Sequence, residues 1–195
     1  MPRTQSTNLT KINRPDVEYA FTSNGTTVIT IPPGSAWTSE PHWHLTHTEF
    51  LDIKSGTALV TLGSTTSSFT AASGRITVPR SVIHEWRRDP ADDSVLVVEE
   101  STDPNDGQKE LFFRNLSMAI LDTVSARLND QLLFRLLPTS WLITIQLFVI
   151  FRAYDNYPVT VSGPLGAWFT HVLLFLLDST GRGLGFKARY PEYTP

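Results

Sequence analysis

The chain has 195 residues, of which 41% are hydrophobic and 18% charged, and its net charge is −3. This composition fits a folded protein and not a disordered one, and the weakly acidic balance lacks the electrostatic footprint of a nucleic-acid-binding domain. The sequence has no cysteine, which excludes disulfides, thiolate ligands and iron–sulfur clusters, so a metal held by this chain must sit on nitrogen and oxygen.

The opening residues, MPRTQSTNLTKINRP, are polar and carry no apolar run of the kind a secretory signal needs, so an intracellular, cytoplasmic location is expected. Asn8, Asn24 and Asn115 each begin an N-x-Ser/Thr triplet, read here as chance matches. Short runs rich in Val, Ile and Thr then follow one another with turn residues between them. They predict strands over 17–22, 26–31, 49–54, 57–62, 75–78, 82–87 and 95–99, with Asn24-Gly25 and Ser55-Gly56 as turns. Strands this short and regular, with no helical period between them, point to a sandwich or small barrel.

Four of the five histidines lie in this β half. In Pro41-His42-Trp43-His44-Leu45-Thr46-His47-Thr48-Glu49, strand alternation sends His42 and His44 to one side and Trp43 to the other. Glu49 shares its face with Leu51 and Ile53, the interior side, where an uncompensated carboxylate is costly and metal coordination removes that cost. His84 shares its face with Val82 and Trp86, also apolar and inward. Three imidazoles and one carboxylate suit a divalent Fe, Mn, Zn, Ni or Co ion, and Leu51, Ile53, Val82 and Trp86 are the candidate walls of a substrate pocket. His47 is out of phase with His44. It is either a surface or turn histidine or, from a turn, a metal ligand or proton shuttle, and with Glu49 it is the candidate for catalytic proton transfer. The pairs Arg87-Arg88 and Glu99-Glu100 read as solvated charge.

This stretch resembles the first motif of the cupin superfamily, G-x5-H-x-H-x(3,4)-E-x6-G, through His42, His44, Glu49 and Gly56; the leading Gly34 stands two residues too far upstream. The second motif, G-x5-P-x-G-x2-H-x3-N, is echoed by Gly74, Pro79 and His84. Its first spacing is one residue short, Ser81 replaces a glycine and Arg88 replaces the asparagine. The resemblance spans residues 20–101. It implies a cupin-type jelly-roll barrel, a divalent metal on His42, His44, Glu49 and His84, and a homodimer.

After Asp103-Pro104-Asn105-Asp106-Gly107 the apolar period lengthens to a helical one. Phe112, Leu116, Ala119/Ile120, Thr123/Val124 and Leu128 predict an amphipathic helix that Asp106 helps to start, and further helices are expected near 140–153 and 165–177. The expected organisation is therefore a mainly β protein: a barrel with an N-terminal arm over 1–106, followed by an α-helical extension over 107–195 packed on it. The uncharged runs 136–151 and 156–177 fall short of a continuous apolar span of about 20 residues. Phe134, Trp141, Phe148, Trp168, Phe169 and Phe175 need cover, from the barrel, a second subunit or a membrane surface, and His171 among them reads as a helix-packing residue. Small single-barrel cupins of secondary metabolism resemble this chain in a helical tail ending in a motif like Arg189-Tyr190-Pro191-Glu192-Tyr193. The resemblance implies a metal-dependent enzyme acting on an apolar small-molecule metabolite, by oxygenation or by redox-neutral isomerisation, cyclisation or dehydration. A non-catalytic ligand-binding cupin and a membrane-associated protein are the alternatives.

Overall fold

A computed structural model describes residues 3–6, 8, 10–124 and 138–194, with the side chains of 123 and 124 excepted. Leu128 of the first expected helix, Phe134 among the apolar side chains expected to need cover, and Leu136 at the start of the uncharged run 136–151 lie outside the described residues. The chain forms two compact units: a β unit of Thr10–Glu110 with Asp155–Val159, and a helical unit of Met1–Leu9, Leu111–Tyr154 and Thr160–Pro195.

The β unit is a jelly-roll-like arrangement of two antiparallel sheets. The first places β1 (Lys11–Asn13), β2 (Glu18–Phe21), β3 (Thr27–Ile31), β10 (Leu96–Asp103), β5 (Thr48–Ser55) and β8 (Ile76–Val78) side by side in that order. The second runs β11 (Tyr157–Pro158), β4 (His42–Trp43), β9 (His84–Arg88), β6 (Ala58–Leu62) and β7 (Thr65–Phe69). Strand alternation builds the interior. Ile29 and Ile31 of β3, Leu51 and Ile53 of β5, Ala58 and Val60 of β6, Trp86 of β9, and Leu96 and Val98 of β10 are all buried, each large apolar side chain contributing about 1.5–3 kcal/mol on transfer from water. Because β10 lies between β3 and β5, a residue in phase with Leu96 and Val98 is delivered to the same interior as Glu49.

Four short strands were not expected: β1, β4, β7 and β11. The two-residue β4 and β11 carry too little pattern to read, and β7, Thr-Thr-Ser-Ser-Phe, has no apolar alternation and lies along an exposed edge. The strand expected from Val82 begins instead at His84. Ser81 adopts a left-handed φ of 64° and its amide donates to the His44 carbonyl (2.7 Å), so the chain is still turning through Val82.

Gly56, the last residue of the motif match, sits in the turn between β5 and β6 with φ 73°. A Cβ there would lie 2.8 Å from the Val95 carbonyl oxygen and 3.0 Å from the Leu96 Cα, both backbone atoms. Gly56→Ala is therefore expected to destabilise the protein by about 1–3 kcal/mol, seen in calorimetry as a lowered melting temperature; an unchanged one would show that this turn tolerates a side chain.

In the helical unit, α1 (Gln108–Val124) continues from the β unit, and α2 (Thr139–Ala153) packs with α3 (Gly166–Gly183). Leu142, Val149 and Phe186 form its apolar centre. Gly181 allows the close approach, since a Cβ there would stand 2.5 Å from Val149 Cγ2. The Arg189–Tyr193 segment is structural: Tyr193 donates to Asp122 (2.5 Å) and Tyr190 to Gln146 (2.7 Å) from buried positions. His171 corrects an expectation, because it lies on an exposed part of α3, near the exposed Trp168, Phe169 and Phe175. Among the described residues no helix is long and apolar enough to cross a membrane.

Candidate metal centre

His42 on β4, His44 just after it, Glu49 on β5 and His84 on β9 converge inside the β unit. One donor atom from each lies within 4.8 Å of all the others, and all four side chains are buried. The two sheets bring them together: His42 faces His84 across the β4–β9 pairing, with ring centroids 4.2 Å apart, while β5 delivers Glu49 from the other sheet.

Backbone carbonyls orient the three imidazoles. His42 Nδ1 is 2.7 Å from the Glu40 oxygen, His44 Nδ1 is 2.6 Å from the Asp155 oxygen, and His84 Nδ1 is 3.0 Å from the Val82 oxygen. A carbonyl can only accept, so each Nδ1 carries its proton, and in the neutral ring Nε2 presents a lone pair. Burial, reinforced by the neighbouring His84 and His44, holds His42 well below the usual histidine range. Burial also lowers His44 against the pull of Glu49, whereas at His84 the Glu49 carboxylate outweighs burial and raises it.

Glu49 carries the charge. Its Oε2 accepts from Lys109 Nζ (2.6 Å) and lies 3.1 Å from His44 Nε2, while its Oε1 is 3.4 Å from His84 Nε2. Burial pushes its carboxyl upward, but the Lys109 ammonium and the neighbouring imidazoles outweigh that and hold it well below the usual carboxylate range. Two atoms stay unsatisfied: among the described residues neither Glu49 Oε1 nor His84 Nε2 has a hydrogen-bond partner, although both are fully buried. With Nδ1 committed, a neutral Nε2 and a carboxylate oxygen present lone pairs to each other, a costly arrangement that a cation between them would convert into two bonds. The donor set therefore fits a divalent metal.

Lys109, in the first turn of α1, spans Glu49 and the Oε1 of Glu100. Glu100 was expected in solvent but is buried, in phase with Leu96 and Val98 on β10, and burial together with the Glu49 charge pushes it up to about 7. Lys109, despite burial, is held above its ordinary value by the two carboxylates. Arg88, likewise expected in solvent, is buried in phase with His84 and Trp86 and donates to the Asp92 carbonyl.

His47 is buried in the turn before β5. Its Nδ1 lies 2.7 Å from Asp155 Oδ2 and its Nε2 3.3 Å from Asp106 Oδ2, and it is not one of the four converging residues. Leu51 and Ile53 are buried on the face of Glu49, as expected. Val82 is half-buried and offers its carbonyl to His84, and Trp86 is fully buried with its ring 4.9 Å from that of Trp37. Sequence reasoning missed Lys109, Glu100 and Asp155. Only Glu100 had a readable signal, its strand phase.

Fold and site together define a jelly-roll protein with a buried three-histidine, one-carboxylate constellation. No family model matches the chain, and none of the curated proteins does. Among solved structures it is similar to Bacillus subtilis oxalate decarboxylase, in a study of that enzyme's Mn(II) centres, at 21% identity and a TM-score of 0.39 over 47% of this chain and 26% of that one. It is also similar to the formate complex of Lactobacillus farciminis oxalate decarboxylase, at 19% identity and a TM-score of 0.39 over 47% of this chain and 30% of that one. The chain thus covers less than a third of the length of either enzyme.

Proposed function

We propose that the β unit is a metal-dependent enzyme that holds one divalent ion, Fe, Mn, Co, Ni or Zn, on His42, His44, Glu49 and His84 and acts on an apolar small molecule. The observation that carries this reading is the pair of buried, unsatisfied atoms Glu49 Oε1 and His84 Nε2, set among three imidazoles whose Nδ1 atoms are already committed. When bound, such an ion supplies a Lewis acid and open positions for substrate, water or dioxygen. The chain's own residues orient the donors through the carbonyls of Glu40, Val82 and Asp155 and neutralise the second oxygen of Glu49 through Lys109. Leu51 and Ile53, buried beside Glu49, support an apolar substrate by keeping that flank of the site dry.

Elemental analysis of protein purified without a histidine tag tests the reading. About one divalent ion per chain is expected, and readdition at about 100 times its Kd should stabilise the stripped protein by about 2.7 kcal/mol. Stripped protein that gains neither metal nor stability would end the proposal. Turnover that depends on dioxygen selects oxygenation; equal turnover without it selects redox-neutral chemistry.

A further inference from the structure

The loop that carries His44 is held by a residue more than a hundred positions away in sequence. Asp155 Oδ1 accepts from the Leu45 amide (2.9 Å), and its Oδ2 accepts from the amides of Thr46 (2.8 Å) and His47 (3.1 Å), the Thr46 hydroxyl (2.7 Å) and His47 Nδ1 (2.7 Å). The carbonyl of the same residue takes the Nδ1 proton of His44 at 2.6 Å. Asp155 has φ 54°, a left-handed conformation that Asp, Asn and Gly tolerate best. The chain then continues as β11, pairing Tyr157 with Trp43 and Pro158 with His42, and the Val159 amide donates to the Pro41 carbonyl (2.9 Å). The segment thus borders the ligand strand along its length.

Resting on the metal reading above, we infer that Asp155 is a positioning residue of the metal centre: its carbonyl fixes the His44 tautomer and its carboxylate fixes the path of residues 45–47, so that metal affinity is set partly from outside both motif-like stretches. A carboxylate is suited to this because it only accepts, and all five groups aimed at it are N–H or O–H donors. Asparagine keeps the size and the backbone preference but turns one oxygen into a donor facing donors.

The test is titration of metal-stripped protein with Co(II), following affinity and the visible d–d spectrum. For folded Asp155→Asn, affinity is expected to fall about 10- to 100-fold, the range typical of lost outer-shell partners, and the spectrum to change as His44 shifts. A purely structural role would lower stability and leave the spectrum of the loaded protein unaltered. If Asp155→Asn does not fold, Thr46→Val decides: it removes one bond to Asp155 and should weaken binding by about threefold. Wild-type protein that binds no Co(II) overturns both this inference and the metal reading. Wild-type binding with unchanged affinity and spectrum in the deciding variant overturns this inference alone.

Discussion

Replacing Glu49 with glutamine is expected to weaken divalent-metal binding about 100-fold or more, about 2.8 kcal/mol at 1.4 kcal/mol per tenfold change, without lowering the stability of the metal-free protein. The two halves of this expectation have one cause. Oε2 of Glu49 faces the Lys109 ammonium, so the carboxamide that replaces the carboxylate must turn its oxygen that way and place its NH2 where Oε1 was, opposite His84 Nε2 at 3.4 Å. That NH2 donates to the imidazole lone pair and fills the gap that a cation would otherwise fill. The variant thus gains the hydrogen bond that the native side chain lacks, and loses the negative charge that draws a dication into a buried site. Titration of the stripped variant with Mn(II) and Zn(II), alongside its melting curve, checks both halves. Affinity within a few-fold of wild type would show that the carboxylate is not a ligand.

Glu49 and His84 were legible because each sits on a strand whose alternation is clear, and His42 and His44 because their two-residue spacing puts them on one side of an extended segment. Glu49 shares a face with Leu51 and Ile53, and His84 with Trp86, so a polar side chain is carried inward by its apolar neighbours. Glu100 was legible by the same rule and misread by composition. Adjacent glutamates resemble a solvated patch, yet a two-residue period must send them to opposite faces, and Glu99 does pair with Lys54 while Glu100 reaches Lys109. Arg88 went astray in the same way beside Arg87. Lys109 and Asp155 belong to a different category. Lys109 lies in the polar first turn of a helix and Asp155 in a left-handed bend after another, and neither local pattern says which distant loop the residue will meet. The converging side chains are specified by strand periodicity, whereas the groups that orient them depend on how the strands and the helix ends around them come together.

Lys109→Met is expected to cost the metal-free protein about 3–5 kcal/mol at pH 8, the usual consequence of removing one partner from a buried ion pair. In a protein of this length that is a fall in melting temperature on the order of 10 °C. Methionine matches the length of the lysine stem, so the loss is one of charge and hydrogen bonding rather than volume: Glu49 and Glu100 remain as two buried carboxyls with no ammonium between them. Two such groups cannot both stay ionised, and the pair retains a proton to higher pH than either would in the unfolded chain. Glu100 is already raised to about 7 by burial and by Glu49 with the lysine in place, and removing the lysine raises it further. A carboxyl whose folded value lies above its unfolded value contributes stability that is complete below about 4.5 and disappears as pH rises through the folded value. The deficit of the variant should therefore be small at pH 5 and grow steadily toward pH 8. A divalent ion bound to Glu49 supplies the missing positive charge, so saturating Mn(II) should recover more stability in the variant than it adds to the wild type, even though the variant starts from the lower melting temperature. Calorimetry at pH 5 and pH 8, with chelator and with Mn(II), separates these effects. A deficit equal at both pH values would mean that the lysine acts through packing and not through the charges of Glu49 and Glu100.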